Sequence, residues 1–141
     1  MIRSADAVWQ GQLQDGKGQM KAQSGAFDVP FSFGTRFGDV PGTNPEELIG
    51  AAHAGCFSMQ FSALAGRAGF TPERVATTAK VHVERVGEGF GITRIELHLQ
   101  AHIPGIDQAT FEKLAQEAKV SCPVSKALAA VPEIRLEAKL V

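Results

Sequence analysis

The sequence predicts an α+β domain in which antiparallel strands surround one long central helix, and three observations carry that prediction. Short stretches of alternating apolar and polar residues occupy both ends of the chain. Between them lies a helical run that opens at Asn44 and carries no Asp, Glu, Lys or Arg from Leu48 to Gly66. The element order reads βββ-α-ββ-αα-β, which is not the strand–helix alternation of a doubly wound sheet.

Each element has its own signal. Trp9, Gly11 and Leu13 alternate with Gln10 and Gln12, and Gly16-Lys17-Gly18 turns the chain into a weaker strand through Met20 and Ala22. Phe27, Val29, Phe31 and Phe33 mark a third strand with one apolar face; Pro30 lacks a ladder donor and assigns it to an edge or a bulge. Gly34 to Gly38 then reads as a glycine-flanked loop exposing Arg36. Asn44 is a good N-cap, Pro45 suits the first helical position, Glu47 completes a capping box, and Gly69 and Pro72 end the helix. Leu48, Ala52, Cys56, Met59 and Ala63 share a stripe on it, so Cys56 is expected to face packed protein.

A hairpin follows, Val75 to Val83 returning through Ile95 to Ile103 around Gly87-Glu88-Gly89. Asp107 opens a second helix whose apolar stripe runs Phe111, Leu114, Ala115, Ala118 and Cys122, with Ile106 and Phe111 as a hydrophobic staple. Pro123 begins a short helix, and Ile134, Leu136, Ala138 and Leu140 alternate with charged residues as a last strand.

At 141 residues and 15.0 kDa the chain can build one core, and a single domain over 1–141 is expected. A net charge of −1 offers no basic stripe, which argues against nucleic acid and anionic membrane as partners. No apolar stretch follows Met1-Ile2-Arg3, so no secretion signal is read and the cytoplasm is the expected location. The uncharged run approaches the ~20 residues that cross a bilayer. His53, Ser58, Gln60 and Ser62 within it favour a buried helix instead.

Cys56 and Cys122 are the only two cysteines. In a chain without a secretory signal such a pair points to catalysis or metal binding before a structural staple. His53, three residues before Cys56, allows a Cys–His nucleophile pair, but no third orienting group is evident. A metal site from His53, Cys56 and Cys122 would need a fourth ligand. His82, His98 and His102 lie on polar strand faces without ligand spacing and read as solvated surface, so no metal is expected.

Five segments together closely resemble the OsmC branch of the OsmC/Ohr (osmotically inducible / organic hydroperoxide resistance) family. They are Thr35-Arg36-Phe37, Asn44 to Ala54, Cys56-Phe57-Ser58-Met59, Gly69-Phe70-Thr71-Pro72 and Cys122-Pro123-Val124-Ser125-Lys126-Ala127-Leu128. The resemblance covers essentially the whole chain. It implies an intertwined homodimer with two sites at the subunit interface and thiol-dependent reduction of organic hydroperoxides. Cys56 matches the peroxidatic cysteine, Cys122 the resolving one, Arg36 the activating arginine and Glu46 its acidic partner. No bound cofactor is implied, only an external dithiol or lipoyl-type reductant.

The residues make chemical sense of that assignment. A free thiol with a pKa of about 8.5 is mostly protonated at neutral pH, and Cys56 is far from the helix N-terminus, so a side-chain cation is required. Standing alone Arg36 is an ordinary loop cation; as the activator, its planar fork can hold a carboxylate on one edge and face a thiolate on the other. Glu46 precedes Cys56 by about 15 Å of straight helix. Either Arg36 spans that gap or a partner subunit brings its own Arg36 and Glu46, and the second is the expectation. Cys122, just before Pro123, is placed to cap the next helix, where free N–H groups favour a thiolate. Phe33, Phe37, Ile49, Phe57 and Met59 are candidates for an apolar wall against an alkyl chain, with plain core packing as their ordinary alternative. A noncatalytic dimeric stress or binding protein with redox-sensitive cysteines is the competing function.

Overall fold

A computed structural model describes residues 1–141. The backbone packs as two compact units, Met1–Leu48 and Ile49–Val141.

The first unit holds β1 (Ala5–Gln10), β2 (Lys17–Ala22) and β3 (Asp28–Phe31), an antiparallel sheet in that spatial order, followed by the single-turn α1 (Phe33–Phe37). Pro30 lies on edge strand β3, as a residue without an N–H must. Two expectations need correction. The first strand ends at Gln10, and the turn is Gly11 to Gly16. Gly18 belongs to β2, where the Phe31 ring leaves no space for a Cβ, and the Trp9 ring crowds Gly16 in the same way. The segment read as a loop after Gly34 is instead α1, with Ser32 and Thr35 forming a reciprocal capping box. The element order is therefore βββ-αα-ββ-αα-β. Most apolar side chains of the three strands stay exposed or half-buried, and no residue of the first unit joins the hydrophobic core.

Helix α2 (Pro45–Arg67) begins in the first unit, where Asn44 Oδ1 accepts the Glu47 N–H at 2.8 Å, and continues through the second. It is long and apolar enough by composition to cross a bilayer. One of its faces nevertheless builds a packed core with the second sheet: Phe57, Phe61, Leu64 and Ala65 are buried, and Phe61 meets Phe111 edge-on at 5.6 Å. Gly50 permits the approach, since a Cβ there would stand 3.2 Å from the Ala79 carbonyl oxygen.

The second sheet is β4 (Arg74–Val86), β5 (Gly89–His102) and β6 (Glu133–Leu140), in that order. β4 and β5 form the expected hairpin, with Gly87 at φ +60° in its two-residue turn. Ile95, Leu97, Leu99 and Ala101 point from β5 into the core. β6 corrects the all-antiparallel expectation, because it runs parallel to β5. The cause is the connection: α3 (Gln108–Ser121) and α4 (Pro123–Ala127) form a helical crossover, which returns the chain in its original direction. Asp107 caps α3 by accepting the Thr110 N–H, and Phe111, Leu114, Ala115 and Ala118 bury its predicted stripe.

Candidate active site

The second unit brings the two thiols together. Cys56 projects from the middle of α2 and is half-buried; Cys122, at the joint between α3 and α4, is fully buried. Both are free, and their sulfurs are 3.2 Å apart. A disulfide of about 2.05 Å needs the sulfurs to close by roughly 1 Å more.

Their environments push them in opposite directions. Burial raises the Cys56 thiol, and the neighbouring Cys122 adds to that rise against a lowering contact with the Val124 main-chain N–H. At Cys122 burial is again the largest single effect and opposes ionisation. The Ser125 N–H, the Cys56 thiol, the Ser125 hydroxyl and the Val124 N–H together outweigh it, so Cys122 falls below its ordinary value. Cys122 occupies the N-cap position of α4 as predicted, although its sulfur makes no full capping hydrogen bond.

The stripe predicted for α2 is wrong. Ala52 and Ala63 are exposed and Met59 is 77% exposed, whereas the buried face runs through Gly50, His53, Phe57, Phe61 and Leu64. Small and apolar residues surround the whole helix, so periodicity alone had little contrast to choose a face. Cys56 sits at the margin between the two faces. Phe57, expected at a substrate wall, lies wholly inside the core and presents no surface to a ligand. Ile49 is half-buried at the start of the second unit.

His53 makes no hydrogen bond to Cys56. It is fully buried, its Nε2 stands 2.7 Å from Ser125 Oγ, and burial lowers its pKa. Sequence reasoning missed Ser125, although it lies in the same short segment as Cys122. His82 and His98 are also more involved than solvated surface residues, since both pair with the partly buried Glu96, at 3.1 and 3.4 Å. His102 stays mostly exposed and pairs with Glu73.

The first unit assembles the charged residues. Arg36, on α1, grips Glu46 with Nη2 at 2.8 Å and Nε at 3.1 Å from Oε1. Glu46 is nearly buried, while Arg36 remains more than a third exposed and its guanidinium lies over the Phe37 ring at 4.9 Å. Thr35 fixes α1 by donating to the Thr43 carbonyl at 2.8 Å. Beside Arg36, Phe33 and Phe37 join Trp9, Leu13 and Phe31 around a pocket of about 220 Å³. The last three were read from sequence as strand positions and not as site residues; the Trp9–Phe31 pair, 5.3 Å between centroids, depends on strand register.

Residues 37–137 match the family of OsmC-like proteins. The chain belongs to the OsmC-like family. It is 48% identical over 139 residues to Peroxiredoxin OsmC of Escherichia coli (strain K12), covering 98% of this chain and 96% of that one. It is 33% identical over 108 residues to the organic hydroperoxide resistance protein of Xanthomonas axonopodis pv. citri, covering 76% and 72%. Among solved structures, an organic hydroperoxide resistance protein OsmC from Legionella pneumophila superposes with a TM-score of 0.73 at 25% identity, over 99% of this chain and 98% of the other. An OsmC-like protein of unknown function from Vibrio cholerae shares the fold with a TM-score of 0.78 at 18% identity, each chain covered to 99%.

Proposed function

We propose that this chain reduces organic hydroperoxides by a two-thiol cycle, with Cys56 attacking the peroxide and Cys122 resolving the product. It is a cysteine-based peroxidase, in keeping with the peroxiredoxin and hydroperoxide-resistance proteins it is related to. The observation that carries the cycle is the pair of free sulfurs at 3.2 Å, one half-exposed and one buried. Cys56 as thiolate takes the terminal peroxide oxygen, the O–O bond breaks, and the alkoxide leaves with a proton as an alcohol. Cys122 thiolate then attacks the Cys56 sulfenic acid, forming the disulfide and releasing water. An external dithiol, of lipoyl or similar type, restores both thiols by exchange.

Cys56 needs help to ionise, because burial and the second sulfur both raise its pKa. Arg36 is assigned that role, held in orientation by Glu46. The apolar pocket beside Arg36 is assigned to the alkyl group, each buried methylene adding about 0.8 kcal/mol. The active form is a homodimer in a reducing compartment, the cytoplasm. The exposed apolar face of α2, with Met59 at its centre, and the uncovered first sheet support dimerisation.

The test is turnover of cumene hydroperoxide against hydrogen peroxide, driven first by dithiothreitol and then by a dihydrolipoyl donor. The proposal expects multiple turnovers and a preference for the organic peroxide. Thiol loss equal to the enzyme present, without turnover in excess dithiol, would point instead to a redox-sensitive protein without catalysis.

A further inference from the structure

Two hydrogen bonds flank the sulfur pair and join the same two parts of the chain. On one side of Cys56, His53 Nε2 stands 2.7 Å from Ser125 Oγ; on the other, Gln60 Nε2 donates to Ser121 Oγ at 2.8 Å. His53 and Gln60 lie three before and four after Cys56, so all three share one side of α2. Ser121 directly precedes Cys122, and Ser125 follows it by one helical turn. The Ser121 hydroxyl proton is committed as well: Oγ donates to the Glu117 carbonyl at 2.7 Å, which leaves its lone pairs for the Gln60 amide.

These ties act where packing gives little hold. Gly55 precedes Cys56, and a Cβ built there would meet nothing within 4 Å, so α2 has open space beside the thiol. Cys122 is the bend that ends α3 and opens α4, and Ser121 is the last residue of α3. Apolar burial is non-directional, so it fixes neither the height of α2 against this bend nor its rotation. A hydrogen bond sets both distance and direction. The sulfurs, 3.2 Å apart, still need to close by about 1 Å to bond.

We propose that Gln60 and Ser121 are positioning residues for disulfide formation. Their hydrogen bond, with the His53–Ser125 bond on the other side of the sulfurs, holds α2 against the α3–α4 bend, so that rotation of the two cysteine side chains closes the S–S bond. This rests on the two-thiol reading of the site. In that step Cys122 Sγ bonds to Cys56 Sγ as the S–O bond of the sulfenic acid breaks. The departing oxygen leaves as water, with the proton given up by the Cys122 thiol. The first oxidation does not involve Cys122, so the tie does not serve it. Holding two thiols together raises the effective concentration of each at the other, so the same bond favours disulfide over dithiol at equilibrium.

Two measurements on the full chain test this, in variants shown by circular dichroism to be folded and by sedimentation to keep the wild-type association. One is the rate from Cys56 sulfenic acid to disulfide after one equivalent of cumene hydroperoxide. The other is the dithiol–disulfide equilibrium in mixtures of reduced and oxidised dithiothreitol, which needs no peroxide. Ser121→Ala should slow the step about fivefold and shift the equilibrium about fivefold toward the dithiol, the scale of one neutral hydrogen bond. Gln60→Met, which keeps the side-chain length without its donor, should do the same, and Ser121→Thr, which keeps the hydroxyl, should restore both readings. Combining Ser121→Ala with Gln60→Met should be no worse than either alone, because each removes the same bond. Ser58→Ala is the control: Ser58 Oγ donates to Thr77 Oγ1 at 2.7 Å, which ties α2 to β4 and not to the bend, so both readings should stay at wild-type values. Unchanged readings in folded Ser121→Ala, or an equal loss in Ser58→Ala, overturn the proposal. Absence of turnover in the wild type, with the equilibrium shifted as described, overturns the peroxidase reading and leaves the tie standing.

Discussion

Residues 1–48 and 49–141 divide the chemistry and the packing unequally. The second unit owns the whole hydrophobic core, from Phe57 to Cys122, and both sulfurs. The first has no residue in that core, yet it holds the Arg36–Glu46 pair and an aromatic pocket on a three-stranded sheet. The contrast teaches that a thiol can be fixed by burial, but burial alone works against its ionisation. Within the second unit Cys56 is raised, and the acidic sulfur is Cys122. The cation proposed above to activate Cys56, Arg36, belongs to the first unit's sequence.

The largest effect expected follows from the sulfurs. Cys56→Ser should abolish peroxide consumption, whereas Cys122→Ser should keep the first oxidation and let sulfenic acid persist. Equal loss of the initial reaction in both would erase the distinction between them. Next is the core: Phe61→Ala should cost about 3–5 kcal/mol in urea unfolding, the scale for a buried aromatic. A cost below about 0.5 kcal/mol, the scale of surface changes, would break the assignment of the core to the second unit.

Arg36→Ala should slow peroxide attack about a hundredfold, the scale of losing one preorganised electrostatic partner, and Arg36→Lys should recover little because the fork is lost. An unchanged Cys56 titration in Arg36→Ala would remove the arginine from activation. In sedimentation the wild type should run at twice the 15.0 kDa chain mass, and Met59→Asp should weaken that association. A fully active monomer would contradict it.

The smallest effect concerns His53, whose folded-state pKa lies below the unfolded value near 6.5 because it is buried. As pH falls below about 6.5 the unfolded chain takes a proton that the folded chain refuses, so stability is lost at up to about 1.4 kcal/mol per pH unit. His53→Gln should flatten that part of the stability curve, read from urea midpoints. An unchanged slope would mean that His53 does not set it.

Much of this was legible in the sequence where signals are local. Asn44, Asp107 and Gly87 announce two helix starts and a turn, and each is where the sequence placed it. Five segments, two of them around the cysteines, carried the family resemblance, and the family match bears it out; the structure sets the two free sulfurs 3.2 Å apart. What failed was decided by tertiary context. The parallel course of β6 depends on the crossover, although a strand–helix–strand reading of its last three element types could have found it. The α2 face was misread because alanine and glycine surround it, and only packing against Phe111 and Gly50's approach to β4 select the buried side. The Ser125–His53 bond joins residues far apart in the chain and leaves no periodic trace.

The most direct test of the two-thiol account is rapid quench of the reduced wild type with one equivalent of cumene hydroperoxide, followed by peptide mapping, beside Cys122→Ser treated identically. An intramolecular Cys56–Cys122 disulfide is expected in the wild type and sulfenic acid at Cys56 in the variant. A disulfide between chains, or first oxidation at Cys122, would contradict it.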